Sequence, residues 1–397
     1  MTTTEHHAIT GVRLTSPSGV FDDRTVVVED GLITDITTGS APEGAVDGAG
    51  MLLLPGLVDC HSDGLERERS PRRTASFPLD FAVLTFEGRL AAAGVTTVFH
   101  GIGFQDNERN GRSFALADAS CQAIEERRGA APVDHRLLVR TEARADSGLE
   151  AALPWIDRFT ERGVDGATVV PVVSFEDHSP GQGQYRNVDQ FRAAIDPATL
   201  SDGETVDSYV AARLAEAEAA RHLRATNREQ LAALAADGRI RLLAHDCEGP
   251  EDVEEAHAAC AAVAEFPLTL DAARRARSLG MQVVMGAPNA MRGQSHSGNA
   301  SAAEVVAHGL CDALASDYQP ATMLAAAFNL SAQGTCSLHD AIGLITEGPA
   351  RTVGLLDRGA VAVGRRADLV LVDDSGRWPQ VRRTWRAPAS LRPSVTA

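Results

Sequence analysis

The chain has 397 residues, 44% hydrophobic and 23% charged, a globular composition that excludes wholesale disorder, collagen-like repetition and a disulfide-stapled miniprotein. A formal charge of −17 repels phosphate backbones and anionic bilayers, so neither nucleic acid nor a membrane surface is an expected partner. All 37 Lys+Arg residues are arginine, which removes Schiff-base chemistry, a P-loop lysine and a carboxylated-lysine metal bridge.

In chain order, Ile9–Leu14, Thr25–Glu29 and Leu32–Ile36 read as short strands separated by turn pairs such as Asp30-Gly31, which predicts a small antiparallel sheet. From about residue 55 apolar β-branched runs alternate with Ala/Arg/Glu-rich helical stretches, as repeated βα units do. Leu57–Cys60, Thr96–His100, Arg136–Thr141, Ala167–Phe175, Ile240–His245, Ala261–Phe266, Gln282–Gly286 and Ala313–Ser316 give eight expected parallel strands and hence an α/β, TIM-like (β/α)8 barrel. Residues 187–237 form a long insertion, helical in its second half, placed to cover the barrel. After Ala350 the strand-like segments Ala367–Asp373 and Val381–Trp385 are read as the other half of the N-terminal sheet. The expected organisation is therefore a discontinuous small β-sandwich domain from residues 1–54 plus 348–397 and a barrel from 55–347. The six scattered cysteines form no CxxC pair and read as reduced thiols, and neither a secretory leader nor an apolar run of about 20 residues is visible. A cytoplasmic protein is expected.

Barrel enzymes carry their chemistry where strands end, at the C-terminal face. The first expected strand ends in His61-Ser62-Asp63, the third in Thr141-Glu142, the fourth in Glu176-Asp177-His178, the fifth in His245-Asp246 and the last in Ser316-Asp317. A solitary histidine is more often a hydrogen-bonded core residue. Ionisable groups at five strand ends outweigh that bland reading. His100 is an uncommitted rim residue, His135 precedes its strand and belongs at the far end, and Glu66 and Glu68 are placed to orient His61.

The segments Leu54-Pro55-Gly56-Leu57-Val58-Asp59-Cys60-His61-Ser62-Asp63 and Gly364-Arg365-Arg366-Ala367-Asp368-Leu369-Val370 resemble the amidohydrolase superfamily along the whole chain. Asp177-His178-Ser179-Pro180-Gly181-Gln182, Glu265-Phe266-Pro267, Met285-Gly286-Ala287-Pro288-Asn289 and Arg292–Asn299 resemble its phosphonate-metabolism branch. The resemblance implies two divalent metal ions, Zn, Mn or Fe, held by His61, Asp63, Glu142, His178, His245 and Asp317. With lysine absent, Glu142 becomes the implied bridge, and Asp317 the implied catalytic proton acceptor. In the family the bridge usually lies on the fourth strand and the histidines on the fifth and sixth, whereas strand counting here gives third, fourth and fifth.

The implied activity is hydrolysis of a triphosphate-bearing ribosyl phosphonate to the 5-phosphate and pyrophosphate. Its substrate is a phosphorylated small molecule, so arginines must neutralise the phosphates. Arg72, Arg73 and Arg292 are the expected substrate-binding cations, and His296, Ser297 and Asn299 the expected hydrogen-bonding side chains. Two rival readings stay open: hydrolysis of a cyclic amide or N-acyl group by the same centre, and a barrel scaffold without catalysis. An arginine-lined mouth would favour phosphate. A homodimer is compatible with the sequence.

Overall fold

The computed structural model describes residues 6–39, 41–72, 75–107, 111–129, 131–163, 167–293 and 299–388. Eight parallel strands, Leu57–Ser62, Val95–Gly103, Asp134–Glu142, Val172–Glu176, Arg241–His245, Val263–Glu265, Gln282–Gly286 and Ala313–Ala315, lie in chain order in one sheet. A parallel bridge between Ser62 and Asp317 brings the eighth strand against the first, giving a nearly closed barrel.

Side chains alternate along a strand, and the two rows have different fates here. Val58, Cys60, Phe99, Leu138, Val172, Leu243, Val263, Val284, Ala313 and Ala315 form one core inside the barrel. Their sequence neighbours, including Leu57, Val98, Val139, Val173, Leu242, Val283 and Leu314, join a larger core shared with the surrounding helices. The inward row continues past the apolar residues into polar ones: Leu138, Arg140, Glu142; Val172, Ser174, Glu176; Leu243, His245; Val263, Glu265; Ala315, Asp317. On these strands an apolar plug therefore ends in a polar rim, set by period-two alternation.

Three expected strands differ in ways that bear on the histidines or the site. The third barrel strand begins at Asp134, so His135 lies within it, paired with Val98, and not before it. Thr168–Val169 pairs with Glu161–Arg162 in a separate two-stranded sheet, and the fourth barrel strand starts at Val172. Pro171 separates the two segments and has no N–H for a sheet ladder. The second strand runs to Gly103, so His100 is a mid-strand residue. Its ring packs outward against Phe86 and His135 and does not reach the rim.

Strands His6–Ser16, Gly19–Glu29 and Leu32–Thr38 pair antiparallel, and Leu52–Pro55, Leu369–Asp373 and Gln380–Trp385 form a second antiparallel run. The pair Arg13–Leu52 links the two runs, and Ile9, Val12, Val26, Val28, Ile33, Leu53, Leu369 and Leu371 share one core. Arg358 ties the C-terminal segment to the barrel by donating to Asp134 at 2.8 Å and to Thr97 at 2.9 Å. The insertion holds helices Val188–Ala194, Val206–Ala219 and Arg221–Ala236, so helix begins earlier than its second half. Among the described residues, no helix is long and apolar enough to cross a membrane.

Candidate functional site

Strands one and eight are stitched together at their ends. Asp63 N–H donates to the Asp317 carbonyl at 2.5 Å, and Asp317 N–H to the His61 carbonyl at 3.0 Å. A register irregularity between Asp59 and Ser62 turns His61 into the barrel, out of step with Val58 and Cys60. Asp59 anchors the end of the neighbouring eighth strand, accepting from Ser316 N–H at 2.9 Å and Ser316 Oγ at 2.5 Å. Burial raises its carboxyl to about 6 against those bonds. The outcome is a triad, His61, Asp63 and Asp317, with one ligand-type atom of each within 4.8 Å of the others. Asp317 has φ +56°, and Asp246 and Phe266, which follow strands five and six, have φ +55° and +52°. Three left-handed non-glycine residues at one rim mark a backbone held against its preference, as functional sites often are.

Strands three and four build a second triad. Arg140 pairs with Ser174 and Glu142 with Glu176 across the sheet, so both glutamates and the arginine project from the same face. Glu142, Glu176 and His178 again lie within 4.8 Å, and His178 Nδ1 is 2.7 Å from Glu142 Oε1. Arg140 is a buried cation between the triads. Its Nη1 donates to both Asp63 oxygens at 2.8 Å, and its Nε donates to Glu176 at 2.8 and 3.1 Å. Burial alone would raise the carboxyl of Glu176, yet Arg140 and His245 bring it to about 2; Arg140 likewise outweighs burial to hold Asp63 low. Burial and the neighbouring Asp63 raise Asp317, with His61 opposing.

His245 lies between the two triads, grouped with His178 and Asp246 on one side and with His61 and Glu265 on the other. Glu265 is fully buried. Burial pulls the His245 imidazole down, but Asp246, Glu176 and Glu265 raise it to about 9.

A cavity of about 300 Å³ opens over this floor, with Arg67, Arg292, Asn289 and Asn299 on its walls. A neighbouring chamber of about 630 Å³ shares Arg140, His178 and Gln184 with it and is lined by Arg112, Arg144 and Arg213. Phe191, Tyr209 and Arg213 of that wall come from the helical insertion. A larger cleft, about 820 Å³, touches none of the clustered histidines and carboxylates and meets the chamber at Asn107, Arg112 and Thr199.

The six residues expected to hold metal are all brought to one rim. Of the expected substrate contacts, Arg292 and Asn299 line the cavity, whereas Arg72 is exposed, bridges Ala75 and lines neither chamber. Arg73, His296 and Ser297 lie outside the described residues. Glu66 does not orient His61 but pairs with Arg112 at 2.9 and 3.0 Å, and Glu68 pairs with Arg89 at 2.6 Å. The sequence gives no role to Arg140, Glu176, Glu265, Asp246 or Asp59, although Glu176 and Asp246 stand at expected strand ends and Asp59 and Glu265 within the resembling motifs. Period-two spacing could have found the first three, since each continues an inward row.

Residues 174–394 match the model of the amidohydrolase family. Over 352 residues, 86% of this chain and 88% of the relative, the sequence is 36% identical to α-D-ribose 1-methylphosphonate 5-triphosphate diphosphatase of Escherichia coli strain K12. Among solved structures, 5-methylcytosine deaminase from Klebsiella pneumoniae liganded with phosphonocytosine aligns over 98% of this chain and 99% of its own, with TM-score 0.58 and 18% identity. An adenosine deaminase from Xanthomonas campestris with bound zinc aligns over 96% and 91%, with TM-score 0.55 and 16% identity. These structures share the fold of a barrel with a flanking sheet. By its matched model and its sequence relative, the chain belongs to the amidohydrolase family.

Proposed function

We propose that the protein is a metal-dependent hydrolase that cleaves α-D-ribose 1-methylphosphonate 5-triphosphate to the 5-phosphate and pyrophosphate, within phosphonate catabolism. The carrying observation is a cluster of histidines and carboxylates opening into two joined chambers whose walls carry Arg67, Arg112, Arg140, Arg144, Arg213 and Arg292. The relative's reaction supplies the substrate.

The donor set suits hard-to-borderline divalent ions, with imidazole nitrogens and carboxylate oxygens but no thiolate. Two triads that share no residue support two ions. His61, Asp63 and Asp317 would hold one, and His178 with Glu142 the other, with His245 between them. Glu176 occupies the fourth-strand position and adds a carboxylate to the second triad. Zn, Mn and Fe all satisfy this set. When bound, such ions polarise a phosphoryl oxygen and make water more acidic.

The chain's own residues do the rest. Asp317 Oδ, on the rim and facing the cavity, accepts the proton of the attacking water. Arginine forks match phosphate oxygens and neutralise the charge that develops as pyrophosphate leaves. The helical insertion supplies Phe191, Tyr209 and Arg213 to the wall of the arginine chamber. In this reading the barrel, 55–347, carries the chemistry, and the sheet unit of 1–54 plus 348–397 flanks it.

The test is a panel of ribosyl phosphonate triphosphate, nucleoside triphosphates, dihydroorotate and N-acyl amino acids, given to metal-loaded protein with pyrophosphate release as readout. Release from the ribosyl phosphonate triphosphate is expected. Turnover of an amide without pyrophosphate would reverse the assignment.

A further inference from the structure

Glu265 ends the sixth barrel strand, and its carboxylate meets three donors from three other places in the barrel. Oε1 is 2.8 Å from His61 Nδ1, while Oε2 is 2.8 Å from His245 Nδ1 and 2.6 Å from Ser174 Oγ. A carboxylate offers about four lone-pair sites, so these contacts take most of its capacity. The other ring nitrogens face away toward different carboxylates: His61 Nε2 is 3.6 Å from Asp63 Oδ1, and His245 Nε2 is 3.7 Å from Asp246 Oδ1.

We infer that Glu265 is a positioning residue that accepts the Nδ1 proton of both His61 and His245, fixing one tautomer in each so that both present Nε2 to the cation centre, and that it is not itself a ligand. The same strand end locks the rings sterically. Phe266 follows at φ +52°, and its ring meets His61 and His245 at centroid distances of 5.1 and 5.3 Å. The two imidazoles are themselves stacked, 5.8 Å apart and 25° from parallel. One buried carboxylate and one aromatic wedge thus orient histidines from strands one and five together. An orienting partner of this kind typically changes metal affinity 10- to 100-fold when removed.

The inference rests on the reading that cations bind at this centre, and its test separates the two. Glu265→Gln keeps the shape but offers one carbonyl acceptor and an NH2 group that only donates. It can accept from one imidazole only, and it faces the other Nδ1 with a donor, driving that ring to the Nε2–H tautomer. Histidine nitrogen–proton correlation NMR on the full chain, with and without zinc, reads the tautomers. Chelator competition reads zinc affinity.

Expected in the unmodified protein are Nδ1–H signals from both His61 and His245 that persist when zinc is bound. Expected in Glu265→Gln are loss of one such signal and zinc affinity weaker by about 10- to 100-fold. The unmodified protein's spectrum decides the matter even if the variant fails to fold. Nε2–H tautomers at His61 or His245 in protein that binds zinc, or unchanged affinity in the variant, would overturn this inference alone. Failure of the unmodified protein to bind zinc, manganese or iron would overturn it together with the metal reading.

Discussion

Arg140→Met removes a buried cation, 7% exposed, that joins two carboxylates through four contacts of 2.8–3.1 Å. Methionine keeps the unbranched apolar stem and lacks the guanidinium, so the change removes the charge and its hydrogen bonds. Deleting one partner of a buried ion pair costs about 3–5 kcal/mol, because the other charge stays buried without compensation. Unfolding entropy of about 2.1 cal/mol/K per residue over 397 residues gives about 0.8 kcal/mol/K. The metal-free variant should therefore melt about 4–6 °C below the unmodified protein. Divalent cations bound at the two triads would neutralise the same carboxylates, so the metal-loaded pair should differ by less. Calorimetry of both proteins, with chelator and with saturating zinc, measures the two differences. Equal melting of the metal-free proteins, or an equal loss with and without zinc, would refute the idea that Arg140 and the cations share Asp63 and Glu176.

Gly101→Ala places a Cβ about 2.5 Å from Asp63 Oδ1 and 3.0 Å from Arg140 Cδ, so zinc affinity should fall while the barrel still folds, as dye competition and circular dichroism will show. Asp317→Asn should keep bound metal, measured by elemental analysis, and lower kcat by about 10²–10⁴-fold; unchanged turnover would remove Asp317 as proton acceptor. Arg144→Gln should raise KM for the triphosphate by about 10- to 100-fold, the loss of a charged hydrogen bond of about 1.5–3 kcal/mol, and leave metal content intact. His100 and His135 stack inside the fold with His100 Nε2 2.9 Å from His135 Nδ1, and burial holds both below the ordinary histidine value of 6.5. Because the unfolded chain binds these protons first, stability is full above about pH 6.5 and falls as pH drops below it, by up to about 1.4 kcal/mol per pH unit for each group. His100→Gln should flatten that acid-side slope in denaturant titrations; an unchanged slope would show that His100 does not contribute.

Much of the fold was readable because alternation and element lengths encode it locally. Val58, Leu138, Val172, Leu243 and Val263 sit on inward rows that a period of two predicts. The errors arose where tertiary context overrides local signals. His100 looked like a strand end because Gly101 and Gly103 follow it, and glycine usually breaks a strand. Here both glycines lie within it, and a side chain at Gly101 would collide with Asp63 and Arg140. Arg72 is near His61 in sequence but not at the site, since the helix Gly64–Arg69 carries the chain away, about 1.5 Å per residue. Arg140 stayed hidden because an arginine is normally solvated, and what buries this one is a pair of carboxylates from two other strands. Glu265 was visible in Glu265-Phe266-Pro267, but nothing local shows that two distant histidines share its oxygens.

Phosphorus NMR of α-D-ribose 1-methylphosphonate 5-triphosphate with metal-loaded protein in heavy-oxygen water identifies the bond that is cleaved and the phosphorus that is attacked. Expected are pyrophosphate and the 5-phosphate in equal amounts, with the label in the 5-phosphate, and no reaction once metal is removed by chelation. Intact triphosphate, or release of inorganic phosphate in place of pyrophosphate, would contradict the proposed cleavage.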